Sequence, residues 1–313
     1  MKKTLVALAV LAAAGSVNAA EVYNADGIVT TVSGVAEIQV TNNYKFADAD
    51  TALRVDDFDL TANTVVAVSD TMSALGQVSL GSADNDDKAA SAQIDRTFVG
   101  LTFVDAGTLT FGKQLLVADD AGNSADFELG GDQYGEDVAS GNDVVKYVYD
   151  NGQLFAAISH DLKETNTDET VTDGRLGFRT GDFEGVVYAY EYEDKSKTLA
   201  TDTGEVSSYD IELNYAMDNI SLAGSYGYQK KTSGTDVETK TRFIQANVGY
   251  AVDTVTYNLG YSQAKVKDAD AVNTVYANVI KQLATNVRVY VEAGSTSADD
   301  SEFSTLAGME VKF

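Results

Sequence analysis

Cysteine, proline and tryptophan are absent from the 313 residues, and histidine occurs once. Without cysteine the chain has no disulfide, no thiolate metal site and no thiol nucleophile. Without proline, and with 26 glycines, it has no rigid linker and no obvious seam between domains. The sequence therefore predicts one domain rather than several.

Basic residues are also scarce. The chain has 22 Lys and Arg against 48 Asp and Glu, which gives a formal charge of −26. Such a charge argues against a nucleic-acid partner, because that binding depends on cationic contacts to phosphates. A high net charge can accompany disorder, but 17 Tyr and 12 Phe in regular alternation indicate a folded chain.

Long apolar runs are missing beyond the N-terminus, and no later window approaches 18 apolar residues, so the sequence predicts no transmembrane helix. The N-terminus itself has two lysines, an apolar run over 5–14 and small residues ending at Ala19. This pattern is typical of a secretory signal peptide. We expect residues 1–19 to be cleaved and 20–313 to form one exported domain. Its 20 basic and 48 acidic residues would give a charge of −28.

From Ile28 onward, apolar and polar residues alternate in segments of about 10 to 14 residues. In 255–262, for example, Val, Tyr, Leu and Tyr alternate with Thr, Asn, Gly and Ser. This period places apolar side chains on one face of a β-strand and polar side chains on the other. A soluble β-sandwich has the same period, so alternation alone does not distinguish the two architectures.

The connections between segments favour a membrane barrel. Seven tight turns interleave with eight longer polar loops, which predicts sixteen strands. Outer-membrane barrels have short turns on one rim and long loops on the other. A barrel of this size holds water inside, so its polar face can line a channel. The fold class predicted is all-β: a transmembrane antiparallel β-barrel of about 16 strands.

Aromatic residues support this interpretation. The last segment alternates up to Phe313, as the closing strand of an outer-membrane barrel does, and we interpret Phe313 as a membrane-assembly C-terminus. Several tyrosines near strand ends fit an interfacial girdle, although they could also be ordinary strand aromatics. They are Tyr188, Tyr190, Tyr192, Tyr226, Tyr228, Tyr250 and Tyr276.

Three stretches resemble the enterobacterial-type general porins. They are 20–27 (Ala-Glu-Val-Tyr-Asn-Ala-Asp-Gly), the strand–turn–strand unit within 98–113, and 126–132 (Asp-Phe-Glu-Leu-Gly-Gly-Asp). The last is similar to the Pro-Glu-Phe-Gly-Gly-Asp signature of that family's third loop. Each motif alone is weak, but their order and spacing cover the exported chain from end to end.

The resemblance implies a homotrimeric barrel whose third loop folds inward and carries carboxylates across from a basic wall. It also implies outer-membrane lipid, lipopolysaccharide and the barrel-assembly machinery as partners, and no cofactor. The pore-constriction carboxylates expected on the third loop are Asp119, Asp120, Asp126, Glu128 and Asp132.

The basic wall of the family does not carry over well. Its lysine falls on Val35 and one of its arginines on Asp95, while Arg96 is one step off and faces lipid unless a bulge turns it. The charged residues that we consider for the facing lumen wall are Asp95, Lys113, Lys146, Arg175, Arg179 and Arg288.

These features predict a passive diffusion channel in the outer membrane for small hydrophilic solutes, with a preference for cations because carboxylates ring the pore. Much of the negative charge could instead lie on outer loops and leave selectivity mild. A substrate-specific channel and a surface adhesin or structural barrel are the alternatives. We expect no enzyme: His160 is the sole histidine, no serine lies in a nucleophile-type turn, and no metal site is indicated.

Overall fold

A computed structural model of the chain describes residues 19–82, 92–131, 134, 138–162, 168–194, 196–197 and 203–313. The expected signal peptide lies outside the described residues except for Ala19. Within these ranges the chain forms two short 3-10 helices, Tyr44–Phe46 and Val117–Asp120, and seventeen β-strands. The strands are β1 Ala20–Ala25, β2 Ile28–Asn42, β3 Ala52–Ala67, β4 Met72–Ser82, β5 Ala92–Phe103, β6 Gly107–Leu115, β7 Ser140–Asp150, β8 Leu154–Asp161, β9 Glu169–Thr180, β10 Phe183–Asp194, β11 Thr203–Met217, β12 Ile220–Ser233, β13 Glu238–Val252, β14 Val255–Val266, β15 Val272–Ala284, β16 Val287–Thr296 and β17 Ser304–Lys312.

The strands close into one antiparallel barrel. Each strand from β2 to β16 pairs with the next, and β17 returns to pair with β2. The short β1 adds no further position, because it pairs with 28–32 of β2 while β17 pairs with 35–42 of the same strand. The described strands therefore occupy sixteen positions, which confirms the predicted barrel. The periodicity did not predict β1.

Short and longer connections alternate along the chain, as expected from the sequence. The turns after β9, β11 and β13 have two residues each, whereas 116–139 joins β6 to β7. Several tight turns use the left-handed backbone region, with φ of 51° at Asp218, 52° at Asp253 and 55° at Gly181. Two-residue hairpins favour positive φ because it matches the twist of the flanking strands.

The polarity of the two barrel faces is the reverse of that in a soluble β-sandwich, whose interior is apolar and whose surface is polar. On β11, Ile211 and Leu213 are 44% and 52% exposed, whereas Asp210 and Glu212 are only 1% and 3% exposed. The apolar face is therefore the outer one and the polar face the inner one, as hydrocarbon outside and water inside require. Among the described residues, no helix has the length and apolar character needed to cross a membrane.

A β-bulge at Asp95 settles the orientation of its neighbour. Arg96 pairs with Ser79 and Ile94 pairs with Leu80, so Asp95 has no partner on β4. Ser79 is fully buried on the inner face, while Ile94 is 55% exposed on the outer face. A bulge re-aims the side chains on either side of it. Arg96 therefore faces the interior of the barrel, which resolves the alternative that the sequence left open.

Two apolar clusters lie between the connection 116–139 and the inner wall. One joins Leu116, Val117 and Tyr134 of the connection to Phe155 and Tyr188 of the wall. The second contains the following side chains: Leu129 of the connection and Tyr276, Tyr290 and Leu306 of the wall. Burial of these side chains against a mostly polar wall holds the connection inside the barrel.

Candidate pore constriction

The connection 116–139 is the third long loop of the barrel, and its base is tightly held. Leu116 is fully buried, and its N–H donates to the Ala139 carbonyl at 2.9 Å. The Lys146 ammonium donates to the carbonyls of Leu115 at 3.1 Å and Leu116 at 3.3 Å. Lys146 therefore faces inward, but it fixes the loop base rather than standing free in the lumen.

Three buried carboxylates of the barrel wall hold the backbone of this loop. Asp173 accepts the Ala118 N–H at 2.5 Å, and Glu212 accepts the Gly122 N–H at 2.5 Å. Each comes from a different strand, β9 and β11, and both side chains are at most 3% exposed. Backbone N–H groups outside helices and sheets need other partners, and a carboxylate makes a strong one.

The third carboxylate, Glu292 on β16, binds the loop tip. It accepts the N–H groups of Phe127 at 2.8 Å, and of Glu128 and Leu129 at 3.0 Å each. Because β9, β11 and β16 lie at different positions around the barrel, the loop runs through the interior from one side to the other. Sequence reasoning did not identify these three acids as site residues, because each falls on the inner face of its strand, where alternation already expects a polar residue.

Inward-facing tyrosines and amides complete the attachment. Tyr276 accepts the Ala125 N–H at 2.8 Å, Tyr188 donates to the Asp120 carbonyl at 3.0 Å, and Asn278 donates to the Ala125 carbonyl at 2.6 Å. Tyr188, Tyr190 and Tyr276 are at most 5% exposed. The girdle interpretation is therefore wrong for these three, because they support the loop on the inner face. Tyr226 and Tyr250 are 40% and 47% exposed.

Glu128, the predicted carboxylate of the loop motif, is fully engaged. It accepts a hydrogen bond from Tyr44 at 2.7 Å and one from Arg54 on β3 at 3.1 Å, and Lys45 lies 3.8 Å away. Burial acts to raise the pKa of Glu128, but hydrogen bonds with Asp56 and Tyr44 and the charge of Arg54 outweigh it and lower that pKa. Burial and the neighbouring Glu128 raise the pKa of Tyr44 above its usual range.

The other predicted loop acids differ in their surroundings. Asp120 forms an ion pair with Arg175 at 2.5 Å. Asp126 accepts the Gly130 N–H at 2.7 Å and also a hydrogen bond from Ser124, so it stabilises the turn at the loop tip. Asp119 forms no ion pair with another described residue, and burial together with the charge of Asp120 raises its pKa. Asp132 lies outside the described residues.

The predicted basic residues are mostly paired with carboxylates. Arg179 contacts Glu184 at 2.6 Å and Asp150 at 2.7 Å, and Arg288 contacts Glu310 at 2.7 Å.

Lys113 does not face the lumen as expected. It pairs with Thr97 on the face that carries Phe111 and Val99, the outer one, and its ammonium donates to the Ile94 carbonyl at 3.0 Å. The irregular backbone at Gly112, with φ of 129°, separates it from the inward-facing Gln114.

Carboxylates without basic partners lie on β2 and β3. Asp57 pairs with Glu37, and Asp59 follows on the same inner face. In the described part of the chain, no basic nitrogen lies within 4.0 Å of Glu37, Asp57, Asp59 or Asp119. Asp95, also predicted to be on the wall, contacts Arg96 at 2.8 Å. Sequence reasoning missed both the acidic strand β3 and Arg54.

A recess of about 430 Å³ opens beside the loop tip. Its lining includes Glu37, Asp56, Asp126, Phe127 and Arg288. Within the described ranges, no group of three or more His, Cys, Asp or Glu side chains is arranged to hold a metal ion. The arrangement is thus a polar passage with charged walls, narrowed by a tethered loop.

A closed sixteen-position barrel with an apolar outside and a polar, loop-crossed inside defines an outer-membrane channel protein rather than an enzyme. The family model described as Gram-negative porin matches residues 4–301. Porin-like protein H of Photobacterium profundum is 41% identical to the chain, with 100% of each chain covered. The chain belongs to the Gram-negative porin family and is a diffusion channel of the outer membrane.

Solved structures share the fold at low identity. OmpT of Vibrio cholerae, in a loop L8 deletion form, gives a TM-score of 0.81 at 18% identity, covering 92% of this chain and 100% of that chain. A trimer form of OmpT gives 0.75 at 17%, covering 91% and 99%. An anion-selective porin from Comamonas acidovorans gives 0.76 at 13%, covering 91% and 100%.

Proposed function

We propose that this porin passes small hydrophilic solutes by passive diffusion and prefers cations to anions. The observation that carries the proposal is an asymmetry of pairing on the inner wall. Arg54, Arg175, Arg179 and Arg288 each contact a carboxylate. Within the part of the chain that the structure describes, no basic nitrogen lies within 4.0 Å of Glu37, Asp57 or Asp59 on the wall, or of Asp119 on the third loop.

Unpaired carboxylates lower the free energy of a cation in the passage and raise that of an anion. For two charges ~8 Å apart the interaction is about 0.5 kcal/mol in bulk water and about 2 kcal/mol at an effective dielectric of 20. Each unpaired carboxylate can therefore change relative permeability about twofold or more. An anion-selective porin shares this fold. The residues that line the pore, rather than the barrel architecture, therefore decide whether cations or anions are preferred.

Reversal potentials in planar bilayers under a KCl gradient test this proposal. The double variant Asp57→Asn, Asp59→Asn should lower the cation-to-anion permeability ratio about twofold or more, since it removes two lumen charges. The matched control is Asp299→Asn, Asp300→Asn, which removes two charges from the exposed connection between β16 and β17. An anion-preferring wild type contradicts the proposal. If the permeability ratio falls equally in both double variants, charges on the outer loops contribute to selectivity as much as the lumen carboxylates do, which also contradicts the proposal.

We also propose that the chain assembles as a homotrimer in lipid containing lipopolysaccharide, inserted by the barrel-assembly machinery. Membership of the family and the apolar outer face of the barrel support this. Cross-linking of detergent-extracted protein should give a trimer band, and a monomer under all mild conditions contradicts it.

The N-terminus belongs to the same proposal. Cleavage after Ala19 would release the exported domain 20–313, and N-terminal sequencing of protein from outer membranes should begin at Ala20. Retention of residues 1–19 in that protein contradicts it.

A further inference from the structure

The first external connection, 43–51 between β2 and β3, has an unusual backbone. Three of its non-glycine residues have positive φ: Asn43 at 48°, Lys45 at 49° and Phe46 at 66°. Residues other than glycine rarely adopt this region, and they persist there only where the surroundings determine it. Such clustering therefore points to a constraint beyond joining two strands.

Hydrogen bonds hold this segment in place on both sides. The Asn43 N–H donates to the Ala49 carbonyl at 3.1 Å, and the Asn43 amide donates to the Phe303 carbonyl at 3.2 Å. The Glu302 N–H donates to the Phe46 carbonyl at 2.8 Å. Residues 43–46 are thus fixed to their own loop and to the connection before β17.

The constrained backbone directs two side chains to the tip of the third loop. The Tyr44 hydroxyl donates to Glu128 at 2.7 Å and accepts from Arg54 at 2.6 Å. The Arg54 guanidinium also lies 4.4 Å from the centre of the Tyr44 ring. The tyrosine hydroxyl therefore joins the wall arginine to the loop carboxylate.

Phe46 contacts the same loop tip through apolar atoms. It packs against the cluster that contains Leu129, Tyr276 and Tyr290. A Cβ atom on Gly294 would lie 3.3 Å from the Phe46 ring and 3.1 Å from Leu129 Cβ, so Gly294 leaves room for both. Two residues of one connection thus hold consecutive residues of another, Glu128 and Leu129.

We propose that residues 43–46 act as a latch in which Tyr44 and Phe46 are positioning residues for the constriction. They fix where the tip 127–129 lies and thereby set the cross-section open to solutes. Glu128 is then an anchor for the tip, because its carboxylate is held by Tyr44 and by Arg54, an arginine that also contacts Asp56 at 3.0 Å. This inference rests on the proposed diffusion function.

The test is single-channel recording of Tyr44→Phe, which keeps the ring but removes the hydroxyl. The hydrogen bond from Tyr44 to the charged Glu128 should stabilise the held position of the loop tip. Its loss should raise the population of displaced positions about tenfold or more. We therefore expect the time spent in altered conductance levels to rise about tenfold. Glu128→Gln should have at least the same effect, since it also weakens the contact with Arg54. The double variant should add little to Glu128→Gln alone, because Tyr44 acts through Glu128.

Tyr261→Phe is the matched control, since Tyr261 on β14 donates to Asn273 on β15 at 2.8 Å, and neither residue belongs to the latch. It should leave conductance levels unchanged. Thermal dissociation of each variant is measured in parallel, because a merely structural role of Tyr44 would lower stability without coupling to Glu128.

Two outcomes overturn the latch: Tyr44→Phe records identical to those of wild type, or additive effects of Tyr44→Phe and Glu128→Gln. Either outcome leaves the diffusion function intact provided that wild-type protein conducts. A wild type that forms no conducting pore in the same bilayers instead overturns the proposed function itself.

Discussion

Gly34 and Phe313 are joined by a reciprocal pair of backbone hydrogen bonds, with N–O distances of 2.7 and 2.9 Å. The Phe313 ring covers Gly34 on the outer face: a Cβ atom at that position would lie 2.5 Å from the ring and 2.9 Å from the Asp59 carbonyl. The end of β17 thus closes the barrel against a position on β2 that has no side chain.

Gly34→Val should therefore destabilise the closed barrel. The ring can move, but the Asp59 carbonyl belongs to a neighbouring strand and cannot, so we expect a loss of about 1–3 kcal/mol from overpacking. The measurement is the temperature at which the folded band disappears in semi-native electrophoresis. Gly76→Val is the control, because its Cβ would meet nothing closer than 3.9 Å. Equal melting of the two variants contradicts the prediction.

Glu292 organises the loop tip through three N–H groups, and Glu292→Ala removes the two carboxylate oxygens that accept all three hydrogen bonds. Each charge-assisted hydrogen bond contributes about 1.5–3 kcal/mol, so the tip 127–129 should detach locally while the barrel persists. Hydrogen exchange of the Phe127, Glu128 and Leu129 amides should accelerate selectively. Glu302→Ala, in the exposed connection before β17, should leave those amides protected. Unchanged protection in Glu292→Ala argues against this clamp.

Three inner-wall aromatics lie directly across from glycines on an adjacent strand: Phe155 from Gly177, Tyr276 from Gly260, and Tyr290 from Gly308. Each ring occupies the space that a glycine Cβ would need. The Tyr290 ring stacks on Phe127 of the loop, with centroids 3.5 Å apart and an interplanar angle of 1°. A glycine on the wall therefore makes room for an aromatic that supports the loop.

Gly308→Ala should displace the Tyr290 ring and weaken its stacking on Phe127, because the new methyl group and the ring cannot share that space. The expected result is noisier single-channel current with little change in barrel stability. Gly185→Ala is the control, since its nearest contact would be an ordinary 3.4 Å. Quiet, wild-type-like current from Gly308→Ala would count against the coupling between this glycine and the loop.

Periodicity predicted the barrel well because the outer face must be apolar at every second residue, a constraint that each strand shows independently. The alternation also led to errors where the backbone departs from it. Strict alternation directs Arg96 to lipid, whereas the bulge at Asp95 turns it inward. Alternation also could not place Lys113, which follows the irregular Gly112. Bulges insert one residue, and a single residue exchanges the two faces.

The constriction was predicted less completely, for a different physical reason. Glu128 was identified from a local motif, but its partners Tyr44 and Arg54 lie 84 and 74 residues away in sequence. Closure of the barrel alone brings them together. Tyr188 and Tyr276 were misassigned because tyrosine suits both a lipid interface and a buried polar wall, and the sequence does not distinguish the two.

We predict that Asp119 makes the proposed cation preference depend on pH. Burial and the charge of Asp120 raise the pKa of Asp119, so its carboxyl takes up a proton at a higher pH than an ordinary aspartate does. As pH falls through that raised value, one negative charge disappears from the passage and the cation-to-anion permeability ratio should fall. Glu128, whose pKa is lowered, stays ionised over the same interval, so the loop tip remains held.

Reversal potentials measured stepwise from pH 8 downward check this. Asp119→Asn should start from a lower ratio at pH 8 and show a smaller decline, because the titrating charge is already absent. Asp105→Asn, in the tight turn between β5 and β6, is the control, and its permeability ratio should decline with pH as that of wild type does. A decline of equal size in wild type and Asp119→Asn would show that other carboxylates determine the pH dependence.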